Sequence, residues 1–261
     1  MKTDPSNRAR RHPSLRDLDI ERHLADPRLR QSYVTPMFDL IAPRYDRFTR
    51  VFSLGMDQRW KAELVQLARE SVSAGGIVCD VACGTGDLAF AVAEARPDLC
   101  VVATDVSTRM LALAMSRAPE STGRSGVVIS GGDLSNLPLA RASVDAVTAG
   151  YALRNTPDWR QALGELARVI RPGGHLLTLD FFLPESRVWR APFLGWLHVA
   201  GRAIGWLWHR EPMAYGYIAH SLQHFTTMSA FSAALTDAGF TVRAVRRHVA
   251  GGIAVHHAQR R

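Results

Sequence analysis

Three acids stand at matching places in this chain, each close to the end of a short apolar run. Asp80 sits within Ile77–Val81, Asp105 follows Cys100–Thr104, and Asp133 follows Val127–Ser130 by two glycines. Between the first two acids lies Gly84-Thr85-Gly86-Asp87, which opens into the apolar stretch Leu88–Ala93. Glycines let a backbone turn tightly and approach a ligand closely. The start of a helix presents unpaired N–H groups. A strand, a glycine turn and a helix start make a nucleotide-type site, although a glycine turn alone occurs in any α/β domain.

The charges narrow the ligand. A dinucleotide seats its pyrophosphate on the helix N-terminus, where this chain places the carboxylate of Asp87. Carboxylates suit a ligand with a cationic end and hydroxyls. S-adenosylmethionine carries a sulfonium, an ammonium and a ribose. The candidate cofactor residues are therefore Asp80, Gly84, Gly86, Asp105, Asp133 and Leu134. Asp105 is placed to accept from ribose hydroxyls, Asp133 to accept from an adenine amino group, and Leu134 to pack on the ring.

The elements that must position these residues alternate along the chain. Strands are expected at Ile77–Val81, Cys100–Thr104, Val127–Ser130, Val144–Ala149 and His175–Phe181, where apolar runs are short and bounded by turn residues. Helices are expected at about 57–70, 88–93, 107–117 and 158–170, with Ser107 as an N-cap. Arg171-Pro172-Gly173-Gly174 turns the chain into the fifth strand. A helix over about 229–238, a strand over 240–248 and a partner strand near Gly251–His256 close the chain. This alternation predicts a parallel, doubly wound α/β sheet with helices on both faces. In such a sheet ligands bind beyond the carboxyl ends of the strands. The run Gly150-Tyr151-Ala152-Leu153-Arg154-Asn155 after the fourth strand is thus where a methyl acceptor meets the cofactor.

Two regions break the alternation. Residues 1–32 are polar and mixed in charge, and are expected to be a flexible basic tail preceding a domain over 33–261. Within the next segment Tyr45 and Asp46 are candidates for a lid contact, against the plainer reading of a helix packed on the sheet. Residues 184–219 form an insertion with Trp189, Trp196, Trp206 and Trp208. Arg190, His198 and Arg202 interrupt it, so it is not a membrane span. It can line an apolar substrate tunnel, lie on a membrane interface, or pack as a helical cap.

The chain of 261 residues has 47% hydrophobic and 21% charged residues, an ordinary balance for one large globular domain. The net charge is +8, and Phe240–Arg261 holds five arginines and no acid. Such a surface suits an anionic membrane or a nucleic acid, or is simply solvated. Cys79, Cys83 and Cys100 have no C-x-x-C spacing; they read as buried thiols of a reducing compartment, with no metal site expected. The polar, arginine-rich N-terminus lacks the apolar core of a signal peptide, so the expected location is cytoplasmic, with a membrane surface as a candidate partner.

From about Tyr33 to His257 the chain resembles the ubiquinone/menaquinone biosynthesis C-methyltransferases. The matching runs are Ile41-Ala42-Pro43-Arg44-Tyr45-Asp46, Ser53-Leu54-Gly55, Asp80 through Asp87, Leu153-Arg154-Asn155, Arg168 through Gly174, Tyr215-Gly216-Tyr217-Ile218 and Gly251-Gly252-Ile253. The resemblance implies a class I methyltransferase sheet of seven strands, the last antiparallel. It implies S-adenosylmethionine contacts at Thr85, Asp105 and Asp133-Leu134, and methylation of a ring carbon on a polyprenylated benzoquinol or naphthoquinol. The chain departs from the family pattern at Gly150, where serine is common, and over His220–Thr226.

A ring carbon becomes nucleophilic when an adjacent hydroxyl ionises. A positioned guanidinium and an amide donor stabilise that oxyanion, which assigns Arg154 and Asn155 as the catalytic pair, Tyr45 and Tyr151 as substrate residues, and Tyr45, His220 and His224 as weaker candidates for proton transfer. The expected partners are a hydrophobic quinol and a membrane surface, with no nucleic acid and with a homodimer left open. A nucleic-acid amine methyltransferase carries Asn/Asp-Pro-Pro-aromatic after the fourth strand, and Gly150-Tyr151-Ala152-Leu153 does not fit that pattern. A methyltransferase for another aromatic or polyketide-like acceptor, a nicotinamide-dependent oxidoreductase (disfavoured by Asp87), and a non-catalytic cofactor-binding scaffold are the alternatives.

Overall fold

The computed structural model describes residues 20–118, 126–209 and 213–261. Its centre is a seven-stranded sheet: β1 (Ile77–Val81), β2 (Cys100–Asp105), β3 (Val127–Gly131), β4 (Val144–Gly150), β5 (Ile170–Phe181), β6 (Phe240–His248) and β7 (Ile253–Arg260). The spatial order is β3-β2-β1-β4-β5-β7-β6. The pairs from β3 through β5 are parallel, while β7 runs antiparallel to both β5 and β6. The expected seven strands with the last antiparallel are thus observed.

Strand order reverses between β1 and β4. The connections after these two strands leave in opposite directions and open a crevice at their carboxyl ends. Buried valines, alanines and leucines such as Val78, Val81, Ala146, Val147, Leu176 and Leu177 fill both faces of the central strands. That is the pattern of a parallel sheet covered on both sides.

The helices are α1 (Ile20–Ala25), α2 (Pro27–Ile41), α3 (Tyr45–Phe52), α4 (Met56–Ser71), α5 (Asp87–Ala95), α6 (Thr108–Arg117), α7 (Trp159–Val169), α8 (Arg187–His209), α9 (Met213–Gln223) and α10 (Met228–Asp237). Ser107 caps α6, its hydroxyl accepting from Met110 N at 3.0 Å. The segment Arg171–Gly174, expected as a turn before the fifth strand, is a bulge inside β5. Register there jumps from Val144↔Ile170 to Ala146↔His175.

The expected tail over 1–32 needs correction. Residues 1–19 lie outside the described residues, but 20–32 are largely helical. Asp26 caps α2 by accepting from Arg28 N at 2.9 Å, and Pro27 occupies the first helical turn. Leu24, Tyr33, Val34, Met37 and Ile41 are buried, each a side chain whose burial contributes roughly 1.5–3 kcal/mol. Arg30 is buried as well and donates to Leu24 O and, from Nη1, to Thr156 O at 3.0 Å. These contacts tie the N-terminal helices to the loop after β4.

Candidate active site

A cavity of about 1040 Å³ opens at the carboxyl ends of β1 to β4. Its walls include Asp80, Gly84, Thr85, Asp105, Asp133, Leu134, Tyr45, Tyr151 and Asn155, so the structure brings most of the predicted residues together. Gly86 is not among the lining residues. It caps α5 at φ +84°, where an added Cβ would meet the Phe90 ring at 2.5 Å. Its task is to start the helix rather than to touch a ligand.

Asp105 closes the glycine loop on itself. Its carboxylate accepts from Gly84 N and from Ser107 N, both at 2.8 Å. Gly84, at φ +57°, supplies the turn that points this N–H at the acid. Each carboxylate oxygen keeps further lone pairs for hydroxyl donors. Burial raises the pKa of Asp105.

Asp80 is 1% exposed. Oδ1 accepts from Thr148 Oγ1 at 2.7 Å, whereas Oδ2 has no hydrogen-bond partner among the described residues. Burial pushes its pKa up to about 7. An orphaned, buried carboxylate oxygen on a ligand cavity is costly unless a cation or donor meets it. That need fits the ammonium and sulfonium end of S-adenosylmethionine, and the lone pairs left on Asp105 fit hydroxyl donors such as those of its ribose. Asp133 makes a local turn by accepting from Ser135 N at 2.8 Å, with the buried Leu134 beside it.

Tyr45 and Asp46, the candidates for a lid contact, both line the first cavity from the start of α3. Thr85 Oγ1 donates to Asp46 Oδ1 at 2.8 Å, and Asp46 also pairs with Arg117. Thr85 therefore joins the glycine loop to α3. Two non-glycine residues on the cavity wall, Ala82 and Tyr151, have left-handed backbones (φ 49° and 58°). Such strain persists only where surroundings enforce it. At Tyr151 they do: its N donates to Leu179 O at 2.6 Å, and its carbonyl accepts from Asn155 Nδ2 at 2.8 Å and Arg154 Nη1 at 3.3 Å.

A second cavity of about 440 Å³ adjoins the first. Its walls are aromatic (Phe48, Phe52, Trp60, Phe181, Tyr217) with Asp57 and Arg154 among them. Tyr45 and Tyr151 line both cavities. Arg154 and Asn155, assigned by sequence to one hydroxyl, lie on different cavities: Asn155 on the first and Arg154 on the second. Tyr217 links them, its OH donating to Asn155 Oδ1 at 3.3 Å and accepting from Arg154 Nη2 at 3.5 Å. Burial raises the pKa of Tyr45, Tyr151 and Tyr217.

Part of the wall comes from residues outside the predicted set. Gln31, Val34, Thr35 and Phe38 of α2 and Lys61 of α4 line the first cavity. The signal for α2 was available in Asp26-Pro27, an N-cap followed by proline at the first helical position. It was also available in the helical spacing of Tyr33, Val34, Met37 and Ile41.

Solved structures share this architecture. An S-adenosylmethionine-dependent methyltransferase from Thermotoga maritima aligns with TM-score 0.58 at 17% identity, covering 87% of this chain and 100% of that one. The [4+2]-cyclase SpnF aligns with TM-score 0.57 at 20% identity, covering 87% and 95%. At such identity the likeness speaks to fold alone. Sheet order, glycine loop and strand-end acids together define a class I S-adenosylmethionine-dependent methyltransferase. The chain belongs to the ubiE/COQ5 methyltransferase family, which it matches over residues 27–260. It is 36% identical over 231 residues to the demethylmenaquinone methyltransferase of Paenarthrobacter aurescens (88% of this chain, 87% of the relative). It is 37% identical over 226 residues to the ubiquinone/menaquinone biosynthesis C-methyltransferase UbiE of Syntrophotalea carbinolica (84% and 90%).

Proposed function

We propose that this enzyme methylates a ring carbon of a polyprenylated quinol, of the demethylmenaquinol or 2-polyprenyl-methoxy-benzoquinol type. The observation that carries this reading is the aromatic second cavity, which shares Tyr45 and Tyr151 with the cofactor cavity and holds one buried guanidinium. The names of the relatives point to the same acceptors. Asp80 holds the cationic end of the cofactor, Asp105 its ribose, and Asp133 with Leu134 its base, with Gly84, Thr85 and Gly86 shaping the loop. The bound cofactor supplies an electrophilic methyl group. The protein aligns the acceptor, excludes water and stabilises the developing oxyanion. Arg154 does the last of these from the second cavity, and Asn155 holds Tyr151 and Tyr217 in place.

Radiolabelled methyl transfer to reduced demethylmenaquinol and to a methoxy-benzoquinol, offered side by side, is the direct test. Label on one of them identifies the ring. Label on neither, with S-adenosylhomocysteine still bound, points to another aromatic or polyketide-like acceptor or to a scaffold.

The acceptor's tail belongs in a membrane, and α8 is built to meet one. Its 23 residues contain Arg187, Arg190 and Arg202 and no acid. Val188, Trp189, Trp196, Val199, Trp206 and Leu207 are exposed and fall within one stripe of the helix. Exposed tryptophans over a basic helix are the composition of an interfacial element. Among the described residues no helix is long and apolar enough to cross a membrane. The Arg44 side chain donates to Trp208 O, and the Arg47 guanidinium lies 5.5 Å from the Trp208 ring centre. These contacts join α8 to the segment that opens into α3, whose Phe48 and Phe52 line the second cavity. The chain should co-sediment with phosphatidylglycerol vesicles at low salt and release partly as salt rises. The Trp196→Glu/Val199→Glu variant should stay in the supernatant while keeping its affinity for S-adenosylhomocysteine. Wild-type protein that ignores the vesicles would rule this contact out.

A further inference from the structure

The second cavity leaves one chemical task without an obvious agent. Quinol methylation at carbon needs a group that removes the hydroxyl proton. Arg154 cannot serve, because a guanidinium stays protonated and this one is already paired with Asp180 at 3.1 Å. Tyr45, Tyr151 and Tyr217 hold their protons more tightly than free tyrosines. Thr49 and Ser53 offer only hydroxyls. Among the described residues lining this cavity, Asp57 is the one carboxylate.

We propose that Asp57 is the base that takes the hydroxyl proton from the acceptor ring, an assignment that rests on reading the second cavity as the acceptor site. The carboxylate is almost fully buried and is held from two sides. Oδ1 accepts from Ser53 Oγ at 2.9 Å, and Oδ2 lies 3.5 Å from Lys61 Nζ. Lys61 in turn donates to Asp87 at 2.7 Å, on the cofactor side. Asp57 does not cap α4: the N-cap is Gly55, and the Asp57 N–H donates to Ser53 Oγ at 3.2 Å. The charged and titratable groups around it are Lys61 on its own helix, Tyr151 from the turn after β4, and Arg154, Tyr45 and Tyr217 on the cavity wall.

The proton moves as follows. The acceptor's O–H bond breaks, the proton passes to an Asp57 oxygen, and the electron pair stays on the acceptor oxygen and spreads to the adjacent ring carbon. Arg154 offsets that charge from the same cavity. Once the ring carbon carries its new methyl group, it gives its hydrogen to water as a proton and the ring regains aromaticity. Asp57 then returns its proton to the oxygen. One proton leaves to solvent per turnover, and the carboxylate is regenerated.

Asp57→Asn keeps the shape and the Ser53 contact but cannot accept a proton. Its kcat should fall by about a hundredfold or more at neutral pH, the scale of a lost general base. Affinity for S-adenosylhomocysteine, and quenching of Trp60 fluorescence by a quinol analogue, should stay at wild-type levels. The deficit should shrink as pH rises and the acceptor ionises unaided. In Asp57→Ala, added formate should restore part of the rate. An Asp57→Asn variant with wild-type kcat and pH profile would overturn the assignment, as would a deficit that is constant across pH with no formate rescue. If wild-type protein methylates neither quinol, the acceptor-site reading fails and this assignment falls with it. If wild-type protein methylates a quinol and the Asp57 variants match it, Asp57 is excluded while the acceptor-site reading stands.

Discussion

Replacing Arg154 with alanine should abolish methyl transfer and also destabilise the fold by about 3–5 kcal/mol, the cost of breaking one side of a buried ion pair. The guanidinium is 4% exposed and pairs with Asp180 at 3.1 Å. Asp180 itself accepts from Arg154 N at 3.2 Å and Phe181 N at 2.8 Å. The same guanidinium holds the carbonyl of the strained Tyr151 and lies 5.1 Å from the Phe181 ring centre. Alanine would strand a carboxylate in the core and release the wall between the two cavities. A loss of activity in this variant alone would therefore not distinguish chemistry from folding. Arg154→Met combined with Asp180→Asn removes both charges, and such double replacements recover much of the stability. Urea denaturation should place the double variant well above Arg154→Ala. Its methyl transfer should remain at background, because the cation proposed to face the acceptor oxygen is gone. Near-normal turnover in the double variant would make Arg154 a structural residue only.

The contrast between Arg154 and Asp105 shows what a linear pattern can carry. The place of Asp105 was legible because it is set locally: a strand ends, a glycine loop faces it, and the acid meets Gly84 N. The five strands of the parallel half were legible for the same reason, since β1 and β2 are short apolar runs with turn residues at their ends. Arg154 was found as a residue but not as a partner. Its counter-ion is 26 positions away on β5, and no periodicity predicts that pairing. The division of the site into two cavities was equally out of reach, because it depends on where α3, α4 and α9 pack. The N-terminal helices were missed for a different reason. Charged residues around Leu24 and Arg30 outweighed a capping signal that was present, and Arg30 is buried only because Leu24 O and Thr156 O accept from it.

Asp80 should make the free enzyme more stable in mild acid than in mild base. Its folded pKa, about 7, lies above the usual carboxylate value of 3.8. A raised folded pKa means the folded state binds the extra proton. The stabilisation is fully present below about pH 4 and is lost as pH rises through 7. The interval corresponds to roughly 4 kcal/mol for a buried group, at about 1.4 kcal/mol per pH unit. Asp105 is shifted in the same direction and adds to the effect. A cationic ligand reverses the preference, because it favours the ionised carboxylate and meets the orphaned Oδ2. Cofactor binding near pH 6 should therefore expel a proton into buffer, and affinity should rise between pH 6 and 8. Calorimetry in two buffers of different ionisation enthalpy counts that proton. Asp80→Asn should give a free protein whose melting temperature falls less across this range, with only the Asp105 contribution left, while weakening cofactor binding and reducing the proton release. An Asn variant with the wild-type pH dependence would assign the effect to another group. The expected pattern is a site that is unstable while empty because it is prepared for charge, and the same carboxylate accounts for both properties.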